Sequence, residues 1–208
     1  MSKAKEIKPV KYVFSDVVSL VKTYANDKKI VLEIGSGTGN NLAFFAENGF
    51  NTHGIEIDQR AIDFAHDLLK GKNLKADIRL GDATKLPYGD GSFDLVLDRA
   101  CLQHNKLDKI VQIIKEVERV LAKEGIFIIV NFISKDDFSA KDFDHNSKSL
   151  AWWKSSYQIY DDIHYTSEEE LRSLLKNFEI IYMEHIRTEV LIPQRYDKGS
   201  YILVAKKL

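Results

Sequence analysis

Between residues 29 and 132, apolar strand-like runs alternate with segments of helical periodicity, and this rhythm limits the possible fold more than any other feature of the chain. Runs dominated by Ile, Val, Leu and Phe occur at KIVLEIG (29–35), THGIEI (52–57), ADIRL (76–80), FDLVLD (93–98) and GIFIIVNF (125–132). Helical segments are predicted at 39–48, 58–70 and 106–123, with Gly49, Gly71 and Gly125 placed to close them in left-handed conformation. Strands joined through helices must cross over, so the sheet is mainly parallel, its connections are right-handed and helices cover both faces. The fold class is therefore α/β, a doubly wound and mainly parallel seven-stranded sheet.

The flanks complete this plan. In residues 12–25, Val13, Val17, Leu20, Val21 and Tyr24 fall on one helical stripe. After residue 132 the rhythm breaks. Residues 133–165 place Phe138, Phe143, Trp152, Trp153, Tyr157, Tyr160 and Tyr165 among Lys, Asp and Ser. This reads as an insertion or lid, whose aromatics either bury one another or form a wall for a flat substrate. Ser167 and Glu170 form a capping box that opens a helix in TSEEELRSLLKNF. The runs FEIIYMEHI and SYILVAKK follow, with Pro193 and Gly199 between them. Their connection is too short for a helix, so they pair antiparallel at one sheet edge, and the last strand is antiparallel. The expected organisation is one domain over 1–208, with an N-terminal helical segment (about 1–27) and the aromatic-rich insertion (about 133–165).

Charge and cysteine content narrow the function classes. Thirty basic against 31 acidic residues leave a net charge of −1, which provides no global field for nucleic acid or acidic lipid. No apolar run approaches the roughly 18 residues of a membrane span, and no apolar core follows the N-terminal lysines. The one cysteine, Cys101, cannot form an internal disulfide. A reducing, cytoplasmic setting is expected.

The stretch VLEIGSGTGNN ends the first strand and carries Gly35, Gly37 and Gly39. In an open parallel sheet a ligand sits beyond the carboxyl ends of the strands, where the winding reverses, and the first strand normally supplies that point. Glycines there let a ligand pack on bare backbone and face its amides. The dinucleotide fingerprint GxGxxG is matched imperfectly, because Asn40 stands where it wants its third glycine. Acids complete the pattern. Glu56 ends the second strand, 21 residues after Gly35, where it can hold a ribose diol. Asp82, next to the amide of Ala83, is placed to read an adenine edge. Glu33 and Asp98 add two more carboxylates near the same edge. A pyrophosphate is repelled there, whereas a cationic adenosine-containing ligand is not.

At these residues the chain resembles the class I S-adenosylmethionine-dependent methyltransferases, of Rossmann-like fold. The resemblance rests on VLEIGSGTGNN, GIEID, GDATKLP, FDLVLDRACLQH and VERVLAKEGIFIIV, and covers roughly residues 28–132. It implies S-adenosyl-L-methionine as cofactor, with Gly35 and Gly37 against its methionine part and Glu33 orienting its ammonium. It further implies Glu56 on the ribose, Asp82 and Ala83 at the adenine, and Asp98 bordering the reacting methyl. The helix at 12–25 either closes over the cofactor or is a packing face.

The acceptor is open. Asp98-Arg99-Ala100-Cys101 departs from the [DN]PP[FY] run of adenine-N6 and glutamine-N5 methyltransferases, and the charge disfavours large nucleic acids, so a small-molecule acceptor leads. A protein or RNA acceptor is the alternative. From other classes, a nicotinamide-dependent oxidoreductase and a non-catalytic cofactor-binding subunit remain. His104, just past the fourth strand, is the candidate general base, since a near-neutral pKa suits that task; its alternative is a backbone-bonded structural histidine. Cys101 lacks the Pro-Cys context of a cytosine methylating nucleophile and reads as a small buried residue. His145 and His164 show no metal-ligand spacing, and no metal is expected.

Overall fold

The computed structural model describes residues 9–140, 163–191 and 196–208. Seven strands form one sheet in the order β3-β2-β1-β4-β5-β7-β6. They are β1 (Ile30–Ile34), β2 (Asn51–Glu56), β3 (Asp77–Leu80), β4 (Phe93–Arg99), β5 (Leu121–Ile133), β6 (Phe178–Val190) and β7 (Tyr196–Lys207). The first five pair in parallel, and β7 runs antiparallel between β5 and β6. From β1 the chain winds outward through β2 to β3, then returns to β1's other side as β4. The reversal therefore falls between β1 and β4, as the alternation predicts.

Alternate residues of the central strands enter two separate cores. Leu32, Ile34, Val96, Phe127, Ile129 and Leu203 face α4 (Leu107–Val120) and α5 (Glu168–Leu174). Val31, Leu95, Leu97, Ile128, Ile202 and Val204 face α1 (Ser15–Tyr24) and α2 (Asn40–Glu47). Burial on both faces explains why these strands read as continuous apolar runs. The α1 stripe of Val17, Leu20 and Val21 is a packing face, buried against the sheet. The remaining helix, α3 (Gln59–Gly71), is capped by Asp58, whose carboxylate accepts from the Arg60 N–H at 2.9 Å.

Several element ends differ from the sequence expectation. Gly49 takes the left-handed conformation after α2, with φ 80°. Gly71 is instead the last residue of α3, and Asn73 (φ 56°) turns the chain. The helix predicted to 123 stops at Val120 because Leu121 already pairs with Phe93 in the sheet. Glu124 (φ 61°) then makes the turn, and a side chain on Gly125 would meet the Ala122 carbonyl at 2.8 Å. Gly199 lies within β7, opposite Arg187, rather than in the β6–β7 connection. Half of the capping box forms: the Ser167 hydroxyl accepts from the Glu170 N–H, while the Glu170 carboxylate reaches His164 at 3.1 Å instead of turning back. Phe143, His145, Trp152, Trp153, Tyr157, Tyr160 and Pro193 lie outside the described residues.

Gly39 shows how tightly the reversal is packed. It enters α2 with φ 80°, and an added Cβ would come within 2.7 Å of the Ala65 Cβ on α3. Gly49 has the same φ but open space around it. Gly49→Ala is therefore expected to cost about 1 kcal/mol, the left-handed penalty alone. Gly39→Ala adds overpacking, for a total of about 2–4 kcal/mol. Urea unfolding of both variants measures the difference, and equal costs would show that α2 and α3 do not meet at this point.

Candidate functional site

Beyond the carboxyl ends of β1, β2, β3 and β4 lies a cleft of about 300 Å³. Gly35, Gly37, Glu56, Asp82, Ala83 and His104 line it, so six of the sequence-predicted site residues converge on one space. The three glycines have separate reasons to be glycine. A side chain on Gly35 (φ 62°) would occupy the place of Cys101, whose Cβ and Sγ lie 2.6 Å from it. Gly37 (φ 52°) meets nothing within 4 Å and leaves bare backbone beside the cleft. Gly39 serves the packing of α2 on α3.

Glu56 ties the wall together. Its Oε2 accepts from the Gly37 N–H at 2.8 Å, and its Oε1 accepts from Ile57 N–H and Asp58 N–H at 2.8 and 3.0 Å. A carboxylate offers about four acceptor positions. Three are used by backbone, which leaves one on Oε2 for a ligand hydroxyl. The Oδ1 of Asp82 accepts from Thr84 N–H at 2.9 Å, closing a tight turn. The loop after it is pinned to α4 by Arg119, which donates to the carbonyls of Leu86 and Tyr88 and to the carboxylates of Glu116 and Asp90.

Glu33 and Asp98 sit deeper than a pocket edge. Both are buried and neither lines the cleft. Glu33 Oε1 accepts from the Asn41 side chain at 2.7 Å, and Oε2 has no hydrogen-bond partner among the described residues. Burial pushes its pKa up to about 8, against the opposing Asn41 bond. Asp98 Oδ1 accepts from the N–H groups of Cys101 and Leu102, capping the turn after β4, while Oδ2 has no partner among the described residues. Burial raises its pKa to about 7. The four acids thus form two layers, with Glu56 and Asp82 on the wall and two partly protonated carboxyls beneath.

His104 lies on a one-turn 3-10 helix, Leu102–His104, which follows Asp98 and the cleft-lining Cys101. Burial lowers its pKa to about 4, so the imidazole is neutral at pH 7 and a weaker base than its sequence position implied. The Cys101 thiol is pushed up by burial and then by the charges of Asp98 and Glu56, which argues against a nucleophile. His164 lies on the insertion side, its ring against Glu170 and its N–H bonded to the Gln103 carbonyl.

Sequence reasoning missed Arg99, Ile57, Lys109 and Ile113, which also line the cleft. Ile57 follows Glu56 directly, and Lys109 and Ile113 are one turn apart on α4, so their spacing was available as a signal. Arg99 depends on tertiary contact, its guanidinium lying over the Phe14 ring. The segment before α1 also reaches the glycine turn: Val10 N–H donates to Thr38 Oγ1, and the Asn40 side chain donates to the Tyr12 carbonyl.

No group of three or more potential metal ligands occurs among the described residues. None of the described helices is long and apolar enough to cross a membrane.

Comparison with known proteins agrees with this geometry. Residues 32–129 match the methyltransferase domain family. Over 111 residues the chain is 33% identical to norajmaline N-methyltransferase of Rauvolfia serpentina, covering 52% of this chain and 37% of that protein. Over 110 residues it is 34% identical to demethylmenaquinone methyltransferase of Lactobacillus johnsonii, covering 50% and 43%. The chain thus spans less than half the length of these curated relatives. A solved S-adenosylmethionine-dependent methyltransferase from Methanosarcina mazei superposes with a TM-score of 0.70 at 23% identity, over 95% of this chain and 99% of that one. The match runs from β1 to β5 and the seven-stranded fold is Rossmann-like: residues 32–129 carry a methyltransferase domain, and the fold is the one shared by S-adenosyl-L-methionine-dependent methyltransferases.

Proposed function

We propose that this protein transfers the methyl group of S-adenosyl-L-methionine to a small-molecule acceptor, and that 1–208 is one catalytic domain. The observation that carries this reading is the open backbone at Gly37 joined to Glu56, together with a buried Glu33 oxygen that has no hydrogen-bond partner among the described residues. The residues fit the family's cofactor. Gly35 and Gly37 border its methionine part, the spare position on Glu56 Oε2 takes a ribose hydroxyl, and Asp82 with Ala83 N–H reads the adenine. Glu33 and Asp98 supply the charge that favours an ammonium and a sulfonium near the methionine end.

When bound, S-adenosylmethionine supplies a methyl carbon made electrophilic by the sulfonium, with a neutral thioether as leaving group. The protein's task is then mainly approximation, which contributes about 7–11 kcal/mol in favourable systems. His104, neutral at pH 7, serves to accept a hydrogen bond from the acceptor and is the candidate base where a proton must leave. The small-molecule reading draws on the relatives, whose names specify norajmaline and demethylmenaquinone as acceptors.

Calorimetry with S-adenosylmethionine, S-adenosylhomocysteine and NAD tests the cofactor. Tight NAD binding without adenosylmethionine binding would overturn the assignment. Incubation with a labelled methyl donor and cell extract then tests activity, with label expected in the small-molecule fraction. Glu56→Ala is expected to weaken cofactor binding by about 1.5–3 kcal/mol while the domain stays folded. An unchanged dissociation constant removes Glu56 from the site.

The buried acids give a pH signature. A carboxyl whose pKa is raised on folding holds its proton while the unfolded chain has lost it, so stability falls as pH rises toward the folded value. His104 acts in the opposite sense between about 4 and 6.5, because its folded pKa is lowered. Above pH 6.5 the two raised acids act among the described residues, Asp98 to about 7 and Glu33 to about 8. Ligand-free protein is therefore expected to lose stability between pH 6.5 and 8, with a slope of up to about 1.4 kcal/mol per pH unit per proton. Glu33→Gln, which keeps the oxygen facing Asn41, flattens the slope above pH 7. Denaturation at stepped pH reads this directly, and a slope unchanged by the substitution would mean that Glu33 titrates normally.

A further inference from the structure

Asn40 stands where the dinucleotide pattern wants its third glycine, and Asn41 follows it. Both open α2 and both are buried, at 8% and 2% exposure. Their side chains form a chain of hydrogen bonds. Asn41 Nδ2 donates to Glu33 Oε1 at 2.7 Å, and Asn41 Oδ1 accepts from Asn40 Nδ2 at 3.2 Å. The same Asn40 Nδ2 also donates to the Tyr12 carbonyl, at 3.0 Å. A buried acid of β1 is thereby joined, through two amides, to the segment that precedes α1. Each amide has one workable orientation, since turning either over would set oxygen against oxygen.

Asn41 occupies Oε1 of Glu33 and leaves Oε2, which has no hydrogen-bond partner among the described residues, as the oxygen open to a ligand. Burial works against the ionised carboxylate; Asn41 favours it, as does Arg99, while Asp98 and Glu56 of the neighbouring strands oppose it. The Cys101 thiol near these acids is held protonated, by burial first and then by their charges. At the other end of the chain, Tyr12 lies in a segment with two more ties to the site. Val10 N–H donates to Thr38 Oγ1, and the Phe14 ring lies under the Arg99 guanidinium. Asn40 supplies the tie that runs on by hydrogen bonds to Glu33. Such a chain strengthens as its last acceptor gains charge, because each bond polarises the next.

Resting on the methyltransferase reading, we propose that Asn40 and Asn41 are positioning residues, which present Glu33 Oε2 to the cofactor's ammonium and couple that contact to residues 10–14. The ammonium favours ionised Glu33, so binding releases the Glu33 proton to solvent, and affinity rises with pH until that proton is already lost. Asn41→Leu removes the donor at nearly constant volume. Calorimetry with S-adenosylhomocysteine is expected to show affinity levelling near about pH 8 in the unmodified protein. The variant is expected to bind about ten- to a hundredfold more weakly at pH 7 and to be still gaining affinity at pH 8. A loss equal at every pH would mark Asn41 as a packing residue and overturn the proposal. Amide hydrogen exchange reads the other end. S-adenosylhomocysteine is expected to slow exchange in residues 10–14 at least about tenfold, and Asn40→Leu, which leaves the Asn41 bond to Glu33 in place, to abolish that slowing. No slowing in the unmodified protein, or the same slowing in Asn40→Leu, overturns the coupling. If either variant fails to fold, exchange in the unmodified protein decides. Absence of S-adenosylhomocysteine binding sinks the methyltransferase reading itself, whereas binding without these signatures sinks the role of the two asparagines alone.

Discussion

The site depends on the approach of two turns, the one leaving β1 and the one leaving β4. These strands are paired in register up to Ile34 and Asp98, so their exits are neighbours before any ligand is considered. Gly35 brings no side chain, and Cys101 lies where one would have been. Asp98 fixes the second turn by holding the N–H groups of Cys101 and Leu102, and the Ala100 N–H is tied to the Val130 carbonyl of β5. A larger residue at 35 would push the turns apart and take the cleft's inner end with them.

Charge at the site is organised by depth. Glu56 and Asp82 share the cleft lining with the cationic Arg99 and Lys109, while Glu33 and Asp98 are buried outside it with raised pKa values. Burying carboxyls without full partners costs stability unless they hold their protons. In the proposed reading a bound cation nearby favours the ionised forms, so part of its binding energy goes into drawing protons off the protein. In the same reading Glu56 couples the ligand to the backbone, since its carboxylate also holds Gly37 N–H.

Much of this was legible in the sequence, for physical reasons that also mark its limits. The central strands were readable because both faces are covered, leaving uninterrupted apolar runs such as IVLEI and FIIV. Element ends were not, because they are set by pairing: Leu121 leaves the helix to meet Phe93, and Gly199 serves a close approach to the turn at 134–137 rather than a hairpin loop. The wall acids could be placed because they end or follow strands at the reversal. The depth of Glu33 and Asp98 could not, since it depends on the helices that cover them, and the lowered pKa of His104 depends on the same enclosure. Arg99 was missed because its position rests on Phe14, 85 residues earlier in the chain.

Two departures from regular geometry lie beside two cavities, the cleft and a second one lined by Gln103, Asn131 and Ser200. Ala100 and Asn131 are non-glycine residues in left-handed conformation, with φ 60° and 61°, the first just after β4 and the second near the end of the adjacent β5. Such conformations cost about 1 kcal/mol or more each and persist only where the surroundings over-determine them. Ala100 turns the chain so that Cys101 and His104 line the cleft. Asn131 coincides with the register shift between Ile129 and Phe132 against β7, beside the second cavity. Irregular backbone thus occurs on both strands next to the Leu102–His104 turn, whose His104 and Gln103 line one cavity each.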